Sequence, residues 1–477
     1  RPKKNARPHC GGELVEAFDH RVERHSHSLG LMRVSLEMTL SAIGLRPAAR
    51  ALKIVSPCLP QCRFPSASTV QLWLLRFGLA QLIRPKEVAD DWVWLIDLTI
   101  QIGNGKVLVV LGIRISVWNH KRKEFLAENP DGIFSLRYED LVPFLIKRVD
   151  TSTGEDVCAD LNTLSAQTGI VPAYLLSDQG ADVRNGGQLF GASPERNTVV
   201  VHEIAHATAN ALKRQLNKSK TWNSFTSDAN RFKTKIRQSL LAFLMPPDLK
   251  QKARWMNLQT LIDWSQRMER FLRVPQEVFE AIVDSEAEAE AEADDTDAKA
   301  TRTEKIRQRA EEATEKLNWI ENYRSSFSQW RAMLLAVSII LNHIRNRGYH
   351  RDAAAELRVE LADIQDAMAC KVIDEVLQFV QEQSLHAASG PILGSTEILE
   401  SLIGRGKQLQ GKNRNGYTAS VLGMAASMGK LTLEAIQTSL KGVKVADALQ
   451  WAKENIGTSI HAQRMRASSI LNGTKTG

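Results

Sequence analysis

The chain has 477 residues, of which 43% are hydrophobic and 24% are charged. This composition is ordinary for a globular protein and leaves room for two to four domains with their own cores. No run of about 18 apolar residues occurs, so we expect no membrane-spanning helix. The five cysteines are scattered and odd in number. They argue against a disulfide scaffold and predict a protein of a reducing, cytoplasmic compartment.

The net charge of +8 is unevenly distributed along the chain. Residues 284–297 contain eight acidic side chains and no basic one, so the rest of the chain carries a net charge of +16. Lysine and arginine near phosphates release counterions, and such an excess is typical of nucleic-acid-binding proteins. A basic surface that is simply solvated is the alternative.

The N-terminal part divides into a flexible basic segment, 1–28, and a helical domain, 29–85. Three short helices are predicted there, the third beginning near Ser68 and ending at Gly78 as a C-cap. This pattern favours either a helix-turn-helix-like DNA-binding domain, with Ser68 and Arg76 at the DNA, or a small helical bundle.

The segment that follows has the alternation of strands and helices typical of an α/β domain. Two β-branched and aromatic runs within 91–117 flank Gly103-Asn104-Gly105 and predict a β-hairpin. Helices are expected over 138–149 and 155–169, and further strands over 171–180 and 197–204.

From about residue 207 to residue 390 the spacing of apolar residues predicts helices and no strand. The acidic block at 284–297 interrupts them as a solvated loop or a frayed helix start. A basic helical segment follows at 389–430, and C-terminal helices with a polar tail complete the chain at 431–477.

Two aspartates lie within or at the end of predicted strands, where functional residues of α/β proteins are often found. Asp97 lies within the apolar run WLIDL, where burying a lone carboxylate costs several kcal/mol unless a partner or a metal ion compensates. Asp178 ends the run YLLSD, and binding sites in α/β sheets collect at the carboxyl ends of strands. A simple helix-capping role is the alternative for each.

The order of these elements resembles that of the DDE-type transposases of bacterial insertion sequences and of retroviral-type integrases. It consists of a hairpin with an aspartate, a strand that ends in an aspartate, and a late glutamate on a helix. WLID supplies Asp97, LLSDQG supplies Asp178 and TEILESLIGRGK supplies Glu400. The likeness covers roughly residues 90–210 and 390–425. It implies an α/β RNase H-like catalytic core with a mixed five-stranded sheet, a helical N-terminal DNA-binding domain and a large all-α insertion.

The resemblance also implies a cofactor and DNA contacts. Asp97, Asp178 and Glu400 would hold two Mg²⁺ ions, for which Mn²⁺ would substitute. Lys407 stands seven residues after Glu400, matching the glutamate and lysine of an insertion-sequence signature, and Lys412 and Arg414 follow as further DNA contacts. The tyrosine and arginine of that signature are replaced by Leu393 and Thr396.

His202-Glu203-Ile204-Ala205-His206 matches the H-E-x-x-H motif of zinc proteases. That motif requires both histidines on one helix, whereas here it begins inside a β-branched run and no third ligand follows at the expected spacing. We therefore expect Glu203 and His206 to lie beside the catalytic carboxylates, with His206 as an acid–base candidate.

Trp319 and Trp330 lie in the helical stretch between Asp178 and Glu400, whose length indicates an insertion domain at 211–388 inside a catalytic domain that begins at 86–210. Some DDE transposases resemble this layout and stack an insertion-domain tryptophan on a flipped base. Aromatic residues at helical spacing are otherwise core residues.

These features favour a DNA transposase that cleaves and transfers strands at terminal inverted repeats. Its partners would be double-stranded DNA, both transposon ends and target, and further copies of itself in a dimer or larger synaptic assembly. We expect it in the cytoplasm, associated with the nucleoid. The alternatives are a domesticated, non-catalytic DNA-binding protein and a zinc metallopeptidase built on HEIAH.

Overall fold

The structure, a computed structural model, describes residues 26–55, 63–100, 106–149, 152–248, 258–287, 296–387, 390–410, 418–458 and 460–471. Contacts divide the chain into two compact units. One, here called the sheet unit, comprises Arg1–Glu203 and Pro391–Gly477, and the other, the helical unit, comprises Ile204–Gly390. The predicted insertion, 211–388, falls within the helical unit.

The sheet unit is built on five strands in the order β3-β2-β1-β4-β5. The pairs β1–β2 and β2–β3 are antiparallel, whereas β4 is parallel to β1 and β5 is parallel to β4. The predicted mixed five-stranded sheet is therefore present. The strands are β1 (Trp92–Ile100), β2 (Lys106–Arg114), β3 (Val142–Val149), β4 (Tyr174–Ser177) and β5 (Val199–His202).

Helices of the sheet unit lie before, between and after these strands. The first six are α1 (Leu29–Leu40), α2 (Leu45–Ile54), α3 (Ala67–Ile83), α4 (Ile115–Glu128), α5 (Gly154–Thr168) and α6 (Ala181–Gly191). The C-terminal ones are α15 (Glu397–Gln410), α16 (Leu422–Ser427), α17 (Leu433–Gly442), α18 (Val445–Asn455) and α19 (Ile460–Leu471).

The helical unit contains no strand among its described residues. Its helices are α7 (Ile204–Lys218), α8 (Lys220–Ile236), α9 (Leu258–Phe271), α10 (Pro275–Ala287), α11 (Thr296–Leu317), α12 (Arg324–Arg347), α13 (Ala353–Glu360) and α14 (Ala367–Ser384). A 3-10 turn, Asn318–Tyr323, separates α11 from α12. Across the described part of the chain, no helix is both long and apolar enough to cross a membrane.

One face of the sheet packs under α5 and α6. Trp94 and Ile96 of β1 belong to this core, together with Val157 of α5 and Phe190 of α6. Alternate residues of a strand point to opposite faces, so the even-numbered residues of β1 belong to this core. The odd-numbered ones, including Asp97, belong to the other face.

A second core joins the two ends of the chain. Trp73 and Phe77 of α3 pack with Ala426 of α16 and Ile436 of α17. The helix α3 begins as predicted, because the Ser66 side chain accepts a hydrogen bond from Thr69 N at 3.1 Å. The N-terminal helices thus share their core with C-terminal helices of the same unit.

The predicted end of α3 at Gly78 is wrong. The helix continues to Ile83, and Gly78 lies inside it where a Cβ atom would collide with the carbonyl oxygen of Leu422. Its missing side chain therefore permits the close approach of α3 and α16, and no left-handed cap is formed there.

The predicted helix over 138–149 is also wrong, because most of this segment forms β3. Phe144 places its ring 5.1 Å from that of Trp92, and the pairing with β2 satisfies the backbone. Pro143 lies in an edge strand, opposite an irregularity in the register between Val110 and Leu111, and prolines within sheets are confined to such positions. The end of the predicted second hairpin strand, from Ile115, is instead the start of α4.

Candidate functional site

Asp97 lies on β1 at the centre of the sheet. Its neighbours Ile96 and Leu98 pack into the core on one face, so the carboxylate belongs to the opposite face, where it is half-buried. A carboxylate among apolar strand residues requires compensation by hydrogen bonds, a cation or solvent. The sheet therefore holds an ionisable group at a place where packing alone would select an apolar one.

The register of the parallel strands relates Asp97 to two other acidic residues. Ile96 pairs with Ser177, and Ser177 pairs with His202. The next residue is acidic in each case: Asp97 within β1, Asp178 directly after β4 and Glu203 directly after β5. Neighbouring strands are about 4.8 Å apart, and residues in register point to the same face. The backbone positions of these three acidic residues thus follow one another across β1 and the ends of β4 and β5, and we call this set the acidic row.

Asp178 follows β4 directly and begins a turn. Its Oδ1 accepts a hydrogen bond from the backbone N–H of Gly180 at 3.0 Å. Gly180 precedes α6, which starts at Ala181. The carboxylate therefore lies at the carboxyl end of a parallel strand, where the strand-to-helix connection leaves the sheet, as the sequence predicts.

Glu203 is fully buried and connects the sheet to α15. Its backbone N–H donates to Ser177 O at 3.1 Å, and its Oε1 accepts from the backbone N–H of Thr396 at 3.0 Å. Thr396 in turn accepts from Glu400 N at 3.3 Å, through its carbonyl oxygen. This chain of hydrogen bonds ties the first turn of α15 to the residue that precedes Asp178.

The first turn of α15 carries two glutamates. Glu400 is exposed and Glu397 is half-buried. The helix contacts β1, the strand of Asp97, and the hydroxyl of its Ser401 lies 2.6 Å from that of Tyr138. Lys407 is exposed on the same helix, and seven residues bring it back to nearly the same side as Glu400.

The residues predicted to contact DNA differ in their exposure. Lys407 and Ser68 are exposed. Arg76 is buried, and its guanidinium donates to the carbonyl oxygens of Val443, at 2.7 Å, and of Leu440. This use of Arg76 is structural, because it joins α3 to the C-terminal helices, so Arg76 is not at a surface that DNA reaches. Lys412 and Arg414 lie outside the described residues.

The HEIAH motif is divided between two elements. His202 is the last residue of β5, whereas His206 lies on α7, which begins at Ile204. The two histidines therefore do not share a helix face, as the zinc-protease motif requires. Glu203 belongs to the sheet unit and His206 to the helical unit.

The two tryptophans proposed for base stacking belong to an aromatic cluster of the helical unit. Trp330 has no exposed surface, and its ring centre lies 4.9 Å from that of Phe225. Trp319 is half-buried and stacks on Trp264 with the ring centres 6.2 Å apart. Trp330 is a core residue in this conformation, whereas Trp319 retains some exposed surface.

One grouping with the spacing of metal ligands was missed in the sequence. His343, His350 and Glu356 bring candidate ligand atoms within 4.8 Å of one another, in the helical unit. The only local signal is two histidines and a glutamate within fourteen residues, which is weak without the turn that folds α13 back on α12.

No known protein family matches this sequence, and no characterised protein is significantly similar to it.

Proposed function

We propose that this protein is a DDE-type DNA transposase whose sheet unit, an RNase H-like core, cleaves and joins DNA at Asp97, Asp178 and Glu400. The observation that carries the proposal is the acidic row, together with the hydrogen-bonded connection from Glu203 through Thr396 to Glu400. Three separate parts of the chain thereby supply the acidic residues of the proposed site.

The donor atoms of this region fit Mg²⁺. Asp97 and Asp178 offer carboxylate oxygens from adjacent strands, and hard oxygen ligands are those that Mg²⁺ prefers. The strand separation of about 4.8 Å is comparable to the 3.5–4 Å that separates the ions of two-metal sites. Held by Asp97, Asp178 and Glu400, such ions would activate the attacking oxygen and stabilise the leaving oxygen of a phosphoryl transfer.

The remaining residues position the DNA and the carboxylates. Strands hold Asp97 and Asp178 with little freedom, because each lies within or directly after a paired strand. Glu400 depends on α15, whose first turn is fixed by Glu203. Lys407, exposed on that helix, would contact a phosphate of the transposon end, with Lys412 and Arg414 in the segment that follows.

The substrate of this proposal is double-stranded DNA with terminal inverted repeats, and the joining of two ends requires a dimer or a larger assembly. A cytoplasmic, nucleoid-associated location follows from the same proposal. The net charge of +16 outside the acidic block supports a polyanionic partner, because basic residues gain counterion release on binding phosphates.

The test is a nicking assay on supercoiled plasmid, with Mg²⁺ or Mn²⁺, comparing wild type with Asp97→Asn, Asp178→Asn and Glu400→Gln. We expect each variant to lose activity by on the order of 100-fold or more, because coordination supplies several kcal/mol of transition-state stabilisation. Asp182→Asn is the matched control, since Asp182 pairs with Lys106 at 2.7 Å four residues beyond Asp178. It should keep its activity.

A second comparison tests the choice of Glu400 over Glu397. Glu397→Gln should retain most of the nicking activity that Glu400→Gln loses. The reverse result would transfer the third role to Glu397. Wild-type DNA binding without any metal-dependent nicking, and unchanged by Asp97→Asn, would instead indicate a domesticated, non-catalytic protein.

A further inference from the structure

The cluster of His343, His350 and Glu356 lies in the helical unit and is distinct from the acidic row. His343 stands one turn before the end of α12, and Gly348 follows that helix with a φ of 73°, a conformation that favours glycine. The chain then reverses direction, passes His350 and enters α13, which carries Glu356. The reversal brings the second histidine and the glutamate to the last turn of α12.

Both histidines direct a ring nitrogen at the same carboxylate oxygen. His343 Nε2 lies 3.8 Å from Glu356 Oε2, and His350 Nε2 lies 3.6 Å from that oxygen. Both separations exceed the length of a hydrogen bond. In a tetrahedral zinc site the nitrogen and oxygen ligands lie 2.0–2.2 Å from the ion. Two such ligand atoms are therefore about 3.4 Å apart. Binding an ion therefore requires these two nitrogen–oxygen separations to shorten only slightly.

The two Nε2 atoms are buried, and neither has a hydrogen-bond partner within the described part of the chain. The side chain of His343 has no exposed surface. A buried polar nitrogen without a partner costs on the order of 1–3 kcal/mol, so such atoms are rare in stable folds. Coordination of a metal ion satisfies both nitrogens at once.

The other nitrogen of His343 has the partner that a metal-bound histidine usually has. His343 Nδ1 lies 2.9 Å from Glu360 Oε1, one helical turn beyond Glu356 on α13. A carboxylate on one ring nitrogen sets the tautomer that leaves the other nitrogen free to bind a metal ion. Arg347 contacts Oε2 of Glu356, the oxygen that faces both histidines, so a bound ion shares this carboxylate with Arg347.

We propose that His343, His350 and Glu356 bind a divalent transition-metal ion of the zinc class, with Glu360 orienting His343. Two imidazoles and one carboxylate form a donor set that suits Zn²⁺ and disfavours Mg²⁺. Glu356 is 38% exposed at its side chain, which leaves a fourth position to water from that side. The bound ion ties α13 to the end of α12.

The test uses the full chain, stripped of metal with EDTA and titrated with ZnSO₄ or MgCl₂ while thermal unfolding is followed. Zinc at about 100 times its dissociation constant should raise the Tm of the transition of the helical unit by roughly 5–10 °C, because the ion binds the folded state selectively. Magnesium should leave it unchanged. Co²⁺ should give a visible absorption band typical of four-coordinate nitrogen and oxygen ligation.

His350→Ala and Glu356→Gln should abolish the zinc-dependent rise in Tm and the cobalt band. His386→Ala, a change of an exposed histidine in the same unit, should preserve both. The zinc-dependent difference in Tm is the quantity compared, because Glu356→Gln also weakens the contact with Arg347 and changes the Tm by itself. No zinc-dependent rise in wild type, or an equal rise in all variants, would overturn the proposal.

Discussion

At the scale of single residues, Glu203 is the most buried carboxylate of the acidic row. It has no exposed surface, and its Oε1 accepts from Thr396 N at 3.0 Å. A buried carboxylate that accepts a backbone N–H is stabilised by that bond, and removing the acceptor leaves a buried donor unsatisfied. We infer that Glu203 is a positioning residue, which fixes the first turn of α15 relative to Asp178.

This role predicts different results for two substitutions. Glu203→Ala should lower stability by about 2–3 kcal/mol, and plasmid nicking should fall with it, because α15 loses its connection to the sheet. Glu203→Gln keeps an oxygen acceptor for Thr396 N and should retain most of the stability and the nicking activity. Thermal unfolding and nicking rates measure the two effects separately. A Glu203→Gln variant as stable as wild type but as inactive as Asp97→Asn would make Glu203 a metal ligand instead.

At the scale of secondary structure elements, the packing of α3 against α16 depends on Gly78. The residue lies within α3 and faces the backbone of Leu422 so closely that a methyl group has no room. Ten of the seventeen residues of α3 are buried, so this helix is a central element of the sheet unit. A helix that reads a major groove needs an exposed face, and in α3 only Ser68, near its start, and Ile83, at its end, are exposed.

Gly78→Ala should therefore destabilise the protein by about 1–3 kcal/mol, although alanine is the better helix former. The steric clash is with a backbone carbonyl group, which cannot move away as a flexible side chain does. Gly442→Ala is the matched control, because nothing lies within 4 Å of an added Cβ at the end of α17. It should be neutral or stabilising. Chemical denaturation of the two variants checks the difference, and equal stability would contradict the packing argument.

At the scale of the whole molecule, the chain forms two units of which only one is continuous. The helical unit, Ile204–Gly390, contains its own aromatic core around Phe225 and Trp330. The sheet unit needs both ends of the chain, because α3 packs with α16 and α17. Independent folding requires a complete core, so the two units should behave differently when separated.

A fragment of residues 204–390 should fold alone into a helical domain with a cooperative thermal transition. A fragment of residues 26–203 should aggregate or remain partly unfolded, because it exposes Trp73 and Phe77, which the C-terminal helices cover in the full chain. Circular dichroism and size-exclusion chromatography of the two fragments provide the measurement. Cooperative folding of 26–203 by itself would show that the second core is not essential.

Local patterns determined much of this architecture. The hairpin strands, the strands that end near Asp178 and His202, and the all-helical stretch after residue 207 follow from periodicity, because each has a long run with one period. The sequence predicts a helix over 138–149 because the spacing of Leu141, Phe144 and Leu145 also suits a helix. Only the free edge of β2 decides that it becomes a strand.

The candidate site was predictable in part for the same reason. Asp97 and Asp178 stand out locally, since each interrupts or ends an apolar run. Their alignment with Glu203 depends on the register of three parallel strands, which no local pattern encodes. The link from Glu203 to Thr396 joins residues 193 positions apart in the chain, and the burial of Arg76 depends on helices near the C-terminus.

The sequence by itself therefore determined the class of fold, the extent of the helical stretch and two of the acidic positions, because these depend on residues near one another in the chain. The tertiary structure decided which acidic residues share a row, which arginine is buried, where glycine permits close packing and that His343, His350 and Glu356 meet. These properties arise from contacts between distant segments, and such contacts are selected by the packing of the whole core.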